Sequence, residues 1–214
     1  DRVDTNAAYS DADTTLSPAD IEAAIKQAIE NYNSSELVDF NVELKLSRLE
    51  AAINDADPSI QTNTTELTLR KDFKALILQR TFPSVTFRNA IVPGTITSSA
   101  FISDGSRFEY TDYNPNQQTL SVTVTDNKTT IVNSTNAVYL KNITNPGAVS
   151  YSPAGTVDYS TGSITLNSIV LTSLEGNDGI LFYAKPLLQD IQSKENDVIA
   201  IDIESGISVT VRKA

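Results

Sequence analysis

Residues 17–46 read SPADIEAAIKQAIENYNSSELVDFNVELKL, and the change of period inside this stretch decides the fold class. Ser17 offers a capping oxygen, Pro18 suits the first helical position, where a missing N–H costs nothing, and Asp20 lies at the positive end of the helix dipole. Ile21, Ala24, Ile25, Ala28, Ile29 and Tyr32 then recur at helical spacing, opposite Glu22, Lys26, Gln27 and Glu30. Asn31, Asn33, Ser34 and Ser35 are expected to end that helix. Beyond them Val38, Phe40, Val42, Leu44 and Leu46 alternate with Asp39, Asn41, Glu43 and Lys45, the period of a strand with one wet face.

Working outward, Ser47-Arg48-Leu49-Glu50 has the form of a capping box opening a short helix through Leu49, Ala52 and Ile53, which Asp57-Pro58 stops. From Ile60 the chain reads as extended, through Leu67, Leu69 and on to Leu76, Ile77 and Leu78. Upstream, residues 1–16 carry Asp1, Asp4, Asp11 and Asp13 among small polar residues with no apolar period, the pattern of an acidic arm or linker. Beyond Pro83 short β-type runs are separated by turn chemistry such as Pro93-Gly94, Asp104-Gly105, Asn145-Pro146-Gly147 and Thr161-Gly162. At the end, Leu187, Leu188 and Ile191 suggest one helical turn, and Val198 to Val211, broken by Ser205-Gly206, suggests a closing hairpin. The expected class is α+β: an arm at 1–16, a small helix/strand unit at 17–80, a β-rich unit of sandwich or small-barrel type at 81–186, and a C-terminal segment at 187–214.

Composition removes most catalytic machinery. The 214 residues include no Cys and no His, so there is no disulfide framework, thiol nucleophile or thiolate metal site, and the commonest general base is missing. No cofactor, metal or catalytic residue is expected. A chain without Met that opens at Asp1 is expected to be processed or cut from a longer product. The net charge of −11 repels phosphate backbones and anionic membranes, which argues against nucleic acid and membrane partners, and no apolar run approaches a membrane span.

The charge is also unevenly placed. Residues 1–69 hold 14 acidic and 4 basic side chains, whereas 70–88 hold 5 basic and 1 acidic. The five, Arg70, Lys71, Lys74, Arg80 and Arg88, form a candidate interface, expected to face the acidic first third of a neighbouring subunit or of the chain itself.

Other constellations have plainer readings. Asp11-Ala12-Asp13 with Glu22 has the outline of a calcium loop, but Leu16 stands where the turn needs Gly. Asp55 and Asp57 are a carboxylate pair that can equally end a helix. Asn-x-Ser/Thr triplets at Asn33, Asn63, Asn127, Asn133 and Asn142 are expected by chance in a chain so rich in these residues. Tyr110, Tyr113, Tyr151 and Tyr159 near turns offer an alternative function, a carbohydrate-binding or adhesin-type β module.

Ile21 to Tyr32, Asp39-Phe40-Asn41, Leu46-Ser47-Arg48-Leu49, Ala52-Ile53-Asn54, Pro58-Ser59-Ile60, Thr64 and Leu69-Arg70-Lys71, in that order, resemble the baseplate wedge proteins of contractile-tailed bacteriophages, the T-even-type ring component related to the baseplate J family. Phe87 to Gly94, Ser98-Ser99-Ala100-Phe101 and Gly155 to Leu166 are similar as well, so the likeness runs over about residues 18–212. The resemblance implies a non-enzymatic virion component that self-associates, as a dimer within a ring, joins other baseplate wedge proteins around the tail hub, and is assembled in the host cytoplasm. It also implies that a preceding N-terminal portion is absent.

Overall fold

The computed structural model describes residues 1–10, 15–39, 42–116, 120–125, 128–133, 136–176, 178–193 and 198–214, with the backbone alone over 120–133. In chain order the elements are β1 (Arg2–Tyr9), α1 (Pro18–Glu36), β2 (Glu43–Leu44), α2 (Leu46–Asn54), β3 (Ile60–Phe73), β4 (Arg80–Thr81), β5 (Ser84–Thr86), β6 (Thr97–Ser98), β7 (Phe101–Ser103) and β8 (Ser106–Thr111). They continue as β9 (Leu120–Thr125), β10 (Lys128–Asn133), β11 (Ala137–Asn142), β12 (Ser150–Asp158), β13 (Ser163–Leu166), β14 (Ile169–Val170), β15 (Ser173–Leu174), β16 (Ile180–Ala184), β17 (Ile191–Gln192) and β18 (Ile207–Lys213). The class is α+β, a small helix/strand unit followed by a β-rich one. One compact unit comprises Asp1–Thr68 with Leu188–Ala214, and the other Leu69–Leu187. The boundary therefore lies within β3 rather than near residue 80, and the C-terminal segment belongs to the first unit. Partner choice divides the chain: Arg2–Tyr9 pairs with residues 60–68, while β16 pairs with Leu69–Phe73.

In the first unit β1 lies between β3, antiparallel, and β18, parallel. The expectation of a solvated arm is thus corrected over residues 2–9. Val3 and Ala7 are fully buried, and the buried hydroxyls of Thr5 and Thr65 bond each other across the ladder. The closing hairpin is corrected too, because β18 pairs in parallel with β1 and residues 198–206 form no strand. Gly206 closes a turn, its N–H donating to the Asp202 carbonyl at 2.8 Å, but the turn joins no pair of strands; the Gly206 carbonyl accepts the Val3 N–H at 2.7 Å. The expected helical turn at 187–191 is replaced by β17, which pairs with β2.

Helix α1 buries Ile21, Ile25, Ile29 and Tyr32 and packs on β18 and α2. Each fully buried Ile is worth about 1.5–3 kcal/mol. Ser17 and Asp20 form the reciprocal capping box. The helix runs past Asn31 and Asn33 to Glu36, since both amides turn outward to partners: Asn31 Oδ1 accepts from Gln27, and Asn33 Oδ1 accepts the Ile201 N–H at 2.8 Å. Of the strand expected over 38–46, only Glu43–Leu44 is paired; Phe40 and Asn41 lie outside the described residues. The Ser47 capping box is also corrected. Helix α2 starts one residue earlier, its N-cap Lys45 makes no side-chain cap bond, and the Leu46 N–H donates to Asp190 Oδ1 at 3.0 Å.

The second unit is an antiparallel sheet in the order β3-β16-β6-β8-β11-β12-β13-β5, with β7 on β8 and β15 on β7. Two ribbons, β9–β10 and β4–β14, stand apart from it. Phe101, Tyr110 and Phe182 form the centre of its core, with ring centroids 5.1 and 5.6 Å apart along the series. Gly162 allows β12 to turn into β13: its φ is +69°, and a Cβ there would stand 2.5 Å from the Asn89 carbonyl.

Candidate functional site: a ribbon, a groove and a buried carboxylate

All five basic residues fall in the second unit, but not on one surface. Arg70 and Lys71 are neighbours on β3, so their side chains leave opposite faces of the strand. Arg70 Nε lies 3.3 Å from Asp72 Oδ1, two positions on and therefore on the same face. Lys74 and Arg80 are exposed and bracket the loop between β3 and β4. Arg88 is half-buried in a separate loop, with φ of +58°. The structure thus brings Lys74 and Arg80 to the ends of one loop and leaves Arg70, Lys71 and Arg88 elsewhere.

What the sequence reading missed lies between Lys74 and Arg80. Leu76, Ile77 and Leu78, expected to continue β3, are instead exposed in a turn, and Phe82 beyond β4 is 69 % exposed. The signal was present as an apolar run, but period alone does not say which side of such a run faces water.

A second centre is Asp112, which is fully buried. Its Oδ2 accepts from the Gly94 N–H at 2.7 Å and the Tyr159 hydroxyl at 3.1 Å, and its Oδ1 accepts the Ile96 N–H at 3.0 Å. Burial pushes the carboxyl up to about 6, against these hydrogen bonds, which favour the charged form. The arrangement pins the 94–96 loop to the end of β8 and to the turn after β12. It serves as a structural clasp.

In the first unit an open groove of about 500 Å³ runs between α1 and α2, lined by Ala28, Tyr32, Ala51 and Ala52, with Glu36 and Asp55 among its polar residues. Arg48 spans it, its guanidinium 3.3 Å from Glu36 Oε2.

The remaining candidates take structural roles. Asp57 is buried and accepts the Ser59 N–H at 2.9 Å, whereas Asp55 is exposed, so the two carboxylates are used differently. Asp11 and Asp13 lie outside the described residues, as does Asn127; the Asn133 side chain is likewise not described. Asn63 donates to the Glu50 carbonyl and to Asn54, and Asn142 accepts the Thr144 N–H. Tyr110 is 1 % exposed and enclosed by aromatic rings, so it presents no face to a sugar, and that part of the carbohydrate alternative is corrected. Tyr159 spends its hydroxyl on Asp112, and Tyr113 is the exposed member of the set at 46 %. Among the described residues no group of three or more acidic side chains is placed to hold a metal ion, and no helix is long and apolar enough to cross a membrane.

The segment from β1 to the end of β3 therefore carries both helices and most of the first unit's sheet. Residues 2–72 match the family model described as baseplate structural protein gp6, C-terminal domain III. Over that segment the resemblance to T-even-type baseplate wedge proteins is borne out, and the match takes in β1, upstream of the residues that suggested it. It covers roughly a third of the chain; Phe87 to Leu166 lie beyond it. No curated protein matches the chain.

Proposed function

We propose that this chain is a non-enzymatic structural component of a phage tail baseplate wedge, located in the virion tail and assembled in the host cytoplasm. It associates with copies of itself and with other wedge proteins, and helps join wedges into a ring around the hub. The observation that carries this reading is the match of residues 2–72 to a baseplate structural family. A net charge of −11 and the lack of Cys and His agree with a protein-binding role rather than one on nucleic acid or in catalysis.

The proposed interface is the cationic set Arg70, Lys71, Lys74, Arg80 and Arg88 against acidic surfaces of neighbouring subunits. Contraction requires contacts that hold the resting baseplate and then rearrange together, which salt-sensitive complementary patches on rigid bodies provide. Immunogold labelling of purified tails with antibody to this chain is expected to decorate the baseplate. Label confined to the tail tube or absent from tails would overturn the assignment. Light scattering behind a sizing column at two salt levels tests self-association, and a strict monomer at every concentration would remove that part of the reading.

A further inference from the structure

The ribbon β4–β14 has an unusual outer face. Thr81 pairs with Ile169, which is buried, and Arg80 pairs with Val170, which is 40 % exposed. Phe82 follows β4 directly and is 69 % exposed. The outer face of such a ribbon ordinarily carries polar side chains. Here it carries Val170, with exposed Phe82 just beyond the strand, and the adjoining loop and turn add Leu76 and Leu78, 62 % and 72 % exposed. Leu78 stands at φ +61°, a left-handed conformation that a bulky side chain rarely adopts. Its N–H donates to the Leu171 carbonyl at 2.7 Å, which fixes the turn. The fold thus accepts backbone strain to hold an apolar side chain in water, a combination found at recognition sites.

The charges say what covers it. Lys74 and Arg80 flank the patch, and neither has an ion-pair partner among the described residues. The first 69 residues of the same chain hold 14 carboxylates against 4 cations. The α1–α2 groove lies in that acidic segment, with Ala28, Ala51 and Ala52 as small lining residues, and its Asp55 also lacks an ion-pair partner among the described residues. We infer that the outer face of the β4–β14 ribbon docks into the α1–α2 groove of a second copy, Leu78 and Phe82 entering it beside the Arg48–Glu36 pair that spans it while Arg80 meets Asp55. This rests on the self-association proposed above and gives it a named knob and hole. Apolar anchors at the centre with charged pairs at the rim is the usual division of labour in a protein interface.

The test is the mass of the full chain by light scattering, at several concentrations and at low and moderate salt. It compares the wild type with Leu78→Ser combined with Phe82→Ser, with Arg80→Glu, with Asp55→Arg, and with the last two combined. Circular dichroism checks each variant for folding, and the altered side chains are all exposed. The expected result is association weakened at least about tenfold by the ribbon pair and by each charge reversal, with recovery when the reversals are combined. Association unchanged in every variant would overturn this inference and leave self-association standing through another surface. Weakening by the ribbon variants without recovery in the combined reversal would overturn the groove as the receptor. A wild type that stays monomeric would overturn both this inference and the self-association on which it rests.

Discussion

Helix α1 satisfies its first turn with atoms three residues apart, Ser17 Oγ accepting the Asp20 N–H at 3.3 Å and Asp20 Oδ2 accepting the Ser17 N–H at 3.1 Å, whereas α2 takes its acceptor from Asp190, 144 positions along the chain. Both helices leave the same orphan donors at their starts. One answer is local and can be read from four letters; the other exists only after the chain has returned to its first unit. Asp112 in the second unit is the same device pushed further, a carboxylate that serves N–H groups 16 and 18 residues away and is wholly withdrawn from water.

The comparison breaks most readily at Asp112. Asp112→Ala leaves the Gly94 and Ile96 N–H groups and the Tyr159 hydroxyl without their buried acceptor, and is expected to cost on the order of 3 kcal/mol in a denaturant titration. The pH dependence comes next. Because the folded carboxyl is raised to about 6 from an ordinary 3.8, the native state binds the proton more tightly than the unfolded chain between those values. This contribution to stability is fully present below about pH 4, is lost as pH rises through 6, and is flat above. The loss amounts to about 3 kcal/mol at most. Asp112→Asn is expected to be less stable than wild type at pH 7, since one amide oxygen cannot serve donors that approach two different oxygens. The stability difference between wild type and this variant should shrink as pH rises from 4 to 7, and a parallel pair of curves would show that Asp112 does not titrate there.

Smaller effects sharpen the helix comparison. Asp190→Ala and Ser17→Ala are each expected to cost about 1 kcal/mol in the whole protein. They should differ in isolated peptides. A peptide of residues 15–37 keeps a Ser17-dependent helical signal in circular dichroism, while one of residues 44–56 shows none, having lost its acceptor and being too short to sustain a helix alone. The smallest expected change has the opposite sign. Among the described residues the buried Ser59 hydroxyl has no hydrogen-bond partner, so Ser59→Ala should stabilise the protein by about 0.5–1 kcal/mol in the same denaturant titration.

Legibility in the sequence follows the range of the interactions. Helix α1 was readable because its cap, its stripe of Ile21, Ile25 and Ile29 and its polar face all lie within twenty residues. The change to a β-rich region after Pro83 was readable from turn chemistry. Strand β1 was not, because its buried positions, Val3, Thr5, Ala7, Ala8 and Tyr9, are mostly small, include one hydroxyl and break strict alternation at the end; its place is fixed by partners some sixty and two hundred residues away. Strand β18 reads as extended, but Ser205-Gly206 has the composition of a hairpin turn and nothing local points to the parallel partner β1. At the candidate interface the cations were visible as a cluster, yet strand alternation separates Arg70 from Lys71. The apolar run beside Lys74 and Arg80 reads as a continuation of β3, and the turn at Leu78 places it in solvent instead.

The parallel pairing of β1 with β18 also has a mechanical consequence. Seven residue pairs, from Val3 with Ile207 to Tyr9 with Lys213, join two strands that point the same way. A tension entering the chain at residue 1 and leaving at residue 214 therefore pulls the strands lengthwise past each other. It loads the rungs of that ladder together, where a hairpin pulled at its open end would yield one rung at a time. Under such a load the pair behaves as a clamp that transmits force until it fails all at once.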